Sequence, residues 1–158
     1  MTPRATALQR EIKQRRPFGT RAQEATVALL RTADVVRRRL TQTVDPHGVT
    51  LQQYNVLRIL KGAAPDPLPT LEIAARMIEA QPGITRLLDR LDAKGLVRRE
   101  RCADDRRQVH CWITEEGLDL LADLDPVVDE ADRAAVGALS AAQVEQLLRL
   151  LEVVRSDP

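Results

Sequence analysis

At Thr20-x-x-Gln23, Thr50-x-x-Gln53 and Ser140-x-x-Gln143 a hydroxyl residue is followed three positions later by glutamine. Such a capping box satisfies two orphan backbone groups reciprocally and marks the start of a helix. After Thr20, apolar or small residues recur at Ala22, Thr26, Leu29, Ala33, Val36, Leu40 and Val44. Every step is three or four residues, which is a coiled-coil-like stripe. Asp45-Pro-His-Gly48 then ends that helix. After Thr50, Leu51, Tyr54, Val56, Leu57 and Leu60 form the buried side of a helix reaching about Lys61. After Ser140, Val144, Leu147, Leu148, Leu151 and Val154 share one face. Three such starts commit most of the chain to helix. Only 2% of its residues are aromatic (Phe18, Tyr54 and Trp112), so the core is aliphatic and rich in Leu and Ala, which favours helices further.

Between the second and third boxes the pattern changes. Residues 62–69 hold three prolines and read as a loop. Thr70 reads as the cap of a short helix, LEIAARM, with a break at Glu79–Ala80. Pro82 suits the first turn of another helix, where its missing N–H costs nothing. That helix runs to about Lys94, and Gly95 stops it. The segments LVRRER and QVHCWIT suit two short strands, with CADDRR as the hairpin loop between them. Thr114 is the expected N-cap of a long helix to about Gly137, with Pro126 inside it. The basic residues 1–19 read as a short helix or loose arm that turns at Pro17–Gly19.

Several function classes are excluded or disfavoured. No run of 18 apolar residues exists, so no membrane span is expected. The N-terminus lacks an apolar signal-peptide core, and two cysteines make no disulfide framework, so a reducing cytoplasm is expected. HExxH, GxGxxG, GxxxxGK[ST] and GxSxG are all absent, so an enzyme is not expected. His47, Cys102, His110 and Cys111 match no zinc spacing, so neither metal nor cofactor is expected. The net charge of +1 hides an asymmetry: residues 1–45 carry ten basic and four acidic side chains, while residues 115–132 carry eight acidic and none basic. On charge alone, ordinary solvated helix faces explain this better than nucleic acid does.

The order helix, helix, helix, β-hairpin over residues 50–113 is the plan of a winged helix-turn-helix. In residues 81–94, Ile84, Leu87, Leu88 and Leu91 share one helical face and belong to a core. Pro82, Arg86, Asp89 and Ala93 lie opposite, with Thr85 and Arg90 on the flanks. A major groove admits such a helix, and Arg can pair bidentately with guanine. The hairpin tip, Asp104-Asp105-Arg106-Arg107, places arginine beside carboxylate. An arginine held this way can enter a narrow, strongly negative minor groove. Cys111 alternates with Val109 and Ile113 and reads as a small core residue. Cys102 lies near Gln108 in the expected register, too far from Cys111 for a disulfide. Trp112, out of phase with them, is expected to be half exposed and to pack on the first strand.

The run ITRLLDRLDAKGLVRRERCADDRRQVHCWITEEGLDLL, from Ile84 to Leu121, resembles the signature of the MarR family of bacterial transcriptional regulators. LEIAARM resembles the helix before it, and PFGTRAQEATVALLRTAD resembles the family's first dimer helix. The resemblance spans about residues 17–155. It implies a homodimer on pseudo-palindromic double-stranded DNA, with Gln81, Pro82, Gly83, Thr85, Arg86 and Arg90 in the major groove. It further implies Arg107 in the minor groove, Asp105 orienting it and Arg106 near the backbone. Gln81-Pro82-Gly83 departs from the small hydroxyl residues usual in the family.

The expected fold is therefore mainly α with a small two-stranded β-wing: a winged helix-turn-helix with flanking dimerisation helices. Residues 1–19 form the arm, 20–47 the first dimer helix, 48–113 the DNA-binding lobe and 114–155 the C-terminal dimer helices. Leu29, Val36, Leu40, Val144, Leu148 and Leu151 are the expected dimer contacts. The expected function is a cytoplasmic repressor, released by a small-molecule effector as some relatives are. The rivals are a thiol-based redox-sensing regulator and a winged-helix module for protein contact.

Overall fold

A computed structural model describes residues 5–80, 82–102, 105 and 107–156. The chain folds as two compact units that divide after Arg39.

In the first unit, Thr6 caps helix α1 (Ala7–Glu11). Its hydroxyl accepts the Gln9 N–H at 3.3 Å while Gln9 Oε1 accepts the Thr6 N–H at 2.9 Å. The buried Gln9 also donates from Nε2 to the Arg16 carbonyl (3.1 Å), closing the turn that follows. The stretch that the sequence leaves open as helix or arm thus contains a capped helix. Helix α2 (Arg21–Val44) starts here as its pattern predicts, with the Gln23 N–H donating to Thr20 Oγ1 at 3.0 Å. The return bond differs: Gln23 Oε1 accepts from Gly19 N (2.9 Å), one residue before the expected cap.

The second unit holds the end of α2 and a 3₁₀ turn at Asp45–His47, closed by Gly48 at φ 77°. Then follow α3 (Leu51–Ala63), β1 (Leu68–Pro69), α4 (Thr70–Arg76), α5 (Ile84–Ala93), β2 (Val97–Arg101), β3 (Val109–Ile113), α6 (Glu115–Val136) and α7 (Ala141–Arg155). The boxes at Thr50 and Ser140 both form, and Thr114 caps α6 by accepting from Gly117 N at 3.1 Å.

One core joins Val56, Leu57 and Leu60 of α3, Ile73 of α4, and Leu88 and Leu91 of α5. The strands add Val97 and Cys111, and α6 adds Leu121. A second cluster gathers Val44, Val49, Leu124 and Val128. Tyr54, Leu96 and Leu120 pack against both, so the two clusters are continuous. On the surface, Arg58 and Lys61 of α3 donate to the Asp125 carboxylate at 2.7 and 2.9 Å. Partial burial works against ionised Asp125, but these two cations hold its carboxyl below the usual range.

Three local expectations change. The sheet has three antiparallel strands in the order β1-β3-β2, because Leu68 and Pro69 pair with Cys111 and His110. The predicted two-stranded hairpin is there, and a piece of the proline-rich connection adds an edge strand where proline is tolerated. Thr70 is not a cap. It is the first residue of α4, and its hydroxyl donates to the Val109 carbonyl (3.3 Å). Pro82 stands ahead of α5 rather than in its first turn, because Gly83 takes the N-cap with φ 100°. That left-handed conformation suits glycine.

Candidate nucleic-acid interface

Helix α5 is strongly amphipathic. Leu88 and Leu91 are fully buried, and Ile84 and Leu87 pack against the same core. Thr85, Arg86, Asp89, Arg90 and Ala93 remain exposed, as their helical positions predict. In front of the helix lies a concavity of about 450 Å³ lined by Pro82, Gly83, Arg86, Leu87 and Arg90. Gly83 has no side chain to cap the first N–H groups of α5. The helix therefore presents first-turn N–H groups without a side-chain cap, and its positive dipole end, beside Arg86. Backbone N–H groups of this kind can donate to phosphate oxygens.

The hairpin keeps the expected register, with Arg99 opposite Cys111 and Arg98 opposite Trp112. Cys102 N donates to the Gln108 carbonyl at 3.0 Å, as the hairpin geometry requires. At the tip, Asp105 Oδ1 accepts the Arg107 backbone N–H (3.0 Å), Oδ2 accepts Gln108 Nε2 (3.2 Å), and its carbonyl accepts Gln108 N (2.9 Å). The carboxylate thus fixes the turn through the backbone of Arg107 and leaves the guanidinium exposed. Gln81 and Arg106 lie outside the described residues.

A contact that sequence reasoning missed ties the wing to the helix. Arg99 of β2 forms an ion pair with Asp89 of α5, and its side chain is only 15% exposed. Arg99 Nε is buried without a hydrogen-bond partner. Strand parity could have found this: Arg99 faces Cys111 across the hairpin, so both point inward. Lys94, which ends α5, donates from Nζ to the Gly48 carbonyl (2.5 Å) and to Gln53 Oε1 (3.3 Å). On the outer face, the Arg98 guanidinium lies 4.6 Å from the centre of the Trp112 ring, which also meets His110 edge-on. Trp112 is half-buried against the first strand of the hairpin, as expected.

Both cysteines are free thiols, and Cys111 is fully buried. Burial pushes its thiol above the ordinary value, outweighing Thr70 and Arg99, which lower it. Since the thiolate is the reactive form, Cys111 is expected to be inert. Peroxide should leave DNA binding unchanged in the parent and in Cys102→Ser and Cys111→Ser. The check is a binding curve with and without peroxide, and a loss of binding that either substitution abolishes contradicts this.

The expected dimer contacts occupy varied settings. Leu29 is 38% and Leu148 57% exposed, Val36, Val144 and Leu151 are half-buried, and Leu40 packs against the second cluster. Helix α7 has no fully buried residue at all. Among the described residues, no helix is long and apolar enough to cross a membrane, and no group of three His, Cys, Asp or Glu could hold a metal ion.

A buried-faced helix with exposed arginines, followed by a β-hairpin, defines the winged helix-turn-helix class of transcription regulators. Comparison with known proteins narrows this. The MarR family model matches residues 47–108. A MarR transcription factor from Planctomyces limnophilus is 39% identical, with 87% of this chain and 99% of that one covered and a TM-score of 0.68. This chain belongs to the MarR family of transcription regulators, whose members are not enzymes. Its fold also matches S. aureus MepR, solved with DNA, at 23% identity and a TM-score of 0.74, covering 82% of this chain and 94% of that one. Bordetella bronchiseptica BpsR, whose DNA binding is regulated by 6-hydroxynicotinic acid, matches at 20% identity and a TM-score of 0.76, covering 84% and 99%.

Proposed function

We propose that the protein is a homodimeric, sequence-specific repressor of the bacterial cytoplasm that grips a pseudo-palindromic operator. The observation that carries this is the uncapped start of α5 at Gly83, set beside exposed Arg86 and Arg90. In this reading α5 enters the major groove. Pro82, Gly83 and Thr85 let its backbone approach the duplex, Arg86 reads a base and Arg90 neutralises phosphate. Arg107, on a turn stiffened by Asp105, reaches the adjacent minor groove. The MepR–DNA complex supports DNA as the partner, and BpsR supports release by a small-molecule effector. The half-covered apolar residues of α7 support a second copy as the dimer partner. Two-fold symmetry is the commonest way to bury such a face, and a dimer spanning two half-sites blocks access to a promoter by occupancy.

The test is selection of bound duplexes from a random pool, with an inverted repeat as the expected consensus. On that site Arg86→Ala should cost about 1–3 kcal/mol and relax preference at one base position. Arg107→Ala should instead flatten the salt dependence, by roughly one unit of slope per lost phosphate-neutralising charge, and weaken preference for narrow A·T-rich flanks. If Arg107→Ala binds like the parent at every salt concentration, the wing is not a DNA element here.

A further inference from the structure

Among the described residues of the second unit, two large apolar side chains are left almost wholly in water: Ile78 at 86% and Leu71 at 82% exposure. The next most exposed are Val153 at 69%, on α7, and Leu30 at 68%, on α2. Leu71, on α4, and Ile78, just beyond its end, lie instead in the helix-turn-helix itself. Scattered exposed apolar residues are ordinary, so exposure alone carries nothing. The backbone of Ile78 carries more. The preceding Met77 packs against the core, and Ile78 N donates to Asn55 Oδ1 of α3 at 3.0 Å. The main chain is thus held where it enters Ile78 while the side chain is left outside. Branching at Cβ restricts the first side-chain torsion of isoleucine, so a held backbone presents a nearly fixed apolar knob. It stands four positions before Pro82, where the concavity in front of α5 begins.

A duplex presents one apolar group among the polar edges of its major groove, the C5-methyl of thymine. We infer that Ile78 contacts a thymine methyl at the edge of the half-site and selects thymine over cytosine there. This rests on the DNA-binding reading above and adds a base position that Arg86 and Arg90 do not read. Glycine or serine would serve equally well if the segment were only a turn between helices.

The test uses the operator selected from the random pool, with each thymine of one half-site replaced in turn by deoxyuridine. Deoxyuridine pairs as thymine does but lacks the methyl. At one position the parent should bind about fourfold more weakly, the effect of one buried methyl-sized group. Ile78→Ala should bind the unmodified operator about four- to tenfold more weakly and be indifferent to deoxyuridine at that position. Ile78→Val should fall between, and Leu71→Ala should keep the parent's pattern. Ile78→Ala should melt like the parent, because its side chain makes little contact with the fold. The inference is overturned if the parent is indifferent to every replacement, or if the losses from Ile78→Ala and deoxyuridine simply multiply. An Ile78→Ala that weakens all duplexes equally points to sugar contact and overturns it too. A pool that yields no preferred duplex fails earlier, and removes the DNA-binding reading itself.

Discussion

In the proposed dimer, replacing Leu148 by Asp is expected to give a monomer at micromolar concentration and to remove tight binding to a duplex with two half-sites. Leu148 is 57% exposed in the single chain, so its cost to the fold of one protomer should stay within about 0.5 kcal/mol, as for other surface changes. In the proposed dimer the same position is covered. A carboxylate buried there without a partner costs about 3–5 kcal/mol. At about 1.4 kcal/mol per factor of ten, that is two to three and a half decades in the dimerisation constant. Light scattering should show a monomer whose circular dichroism still reports the parent's helix content. Binding should persist weakly on a single half-site, because α5 and the wing are untouched. A variant that stays dimeric places the subunit contact elsewhere than on α7.

Gly117→Ala is expected to destabilise the DNA-binding lobe by about 3 kcal/mol, the upper end of overpacking costs. Alanine is ordinarily the better helix residue by about 1 kcal/mol, so the sign comes from the surroundings. Gly117 is buried in the first turn of α6. A Cβ there would collide with the Leu96 carbonyl oxygen and come within 2.7 Å of Ile113 Cγ1. A backbone oxygen cannot swing aside as a side chain can. Moreover, Thr114 N donates to the Leu96 carbonyl at 3.2 Å, and Thr114 Oγ1 donates to the Gly95 carbonyl at 2.7 Å. The helix start is therefore pinned to the turn that the new methyl would displace. Thermal unfolding should drop by roughly 6–12 °C. Gly62→Ala is the control: it sits in α3, where a Cβ meets nothing within 4 Å, and should raise stability by about 0.5–1 kcal/mol. Equal behaviour of the two variants would refute the steric account.

The elements that sequence alone revealed are those whose signals are local. The Thr50 and Ser140 boxes and the Thr114 cap need only residues three apart, and all three form. The hairpin register followed from alternation, which put Cys111 inside and Trp112 on the outer face. Apart from the local Thr6–Gln9 box, what escaped depended on partners distant in the chain. The strand at Leu68–Pro69 exists because β3 offers it an edge, and no two-residue segment announces that. Thr70 reads as a cap by type, yet its hydroxyl turns to Val109, 39 residues away. Asp89 lies on the outward face of α5 by helical arithmetic, as predicted, but its carboxylate is taken by Arg99 from the neighbouring strand. Asp105 was singled out through an expected relation to Arg107, and the structure gives that relation a backbone form.

The bracing of α5 limits how such a protein could be switched. Its flank is joined to the hairpin through Asp89 and Arg99, its end to the start of α3 through Lys94, and its inner side to the core through Leu88 and Leu91. A tilt of this helix alone would break an ion pair, strip the Gly48 carbonyl of its donor and open packed leucine contacts together. The cheaper motion carries helix, hairpin and α3 as one body. An effector of the kind proposed would then alter affinity by changing the separation or twist of two such bodies across the proposed dimer. Its signature would be a changed tolerance for the number of base pairs between half-sites, with the preferred bases within each half-site unaltered.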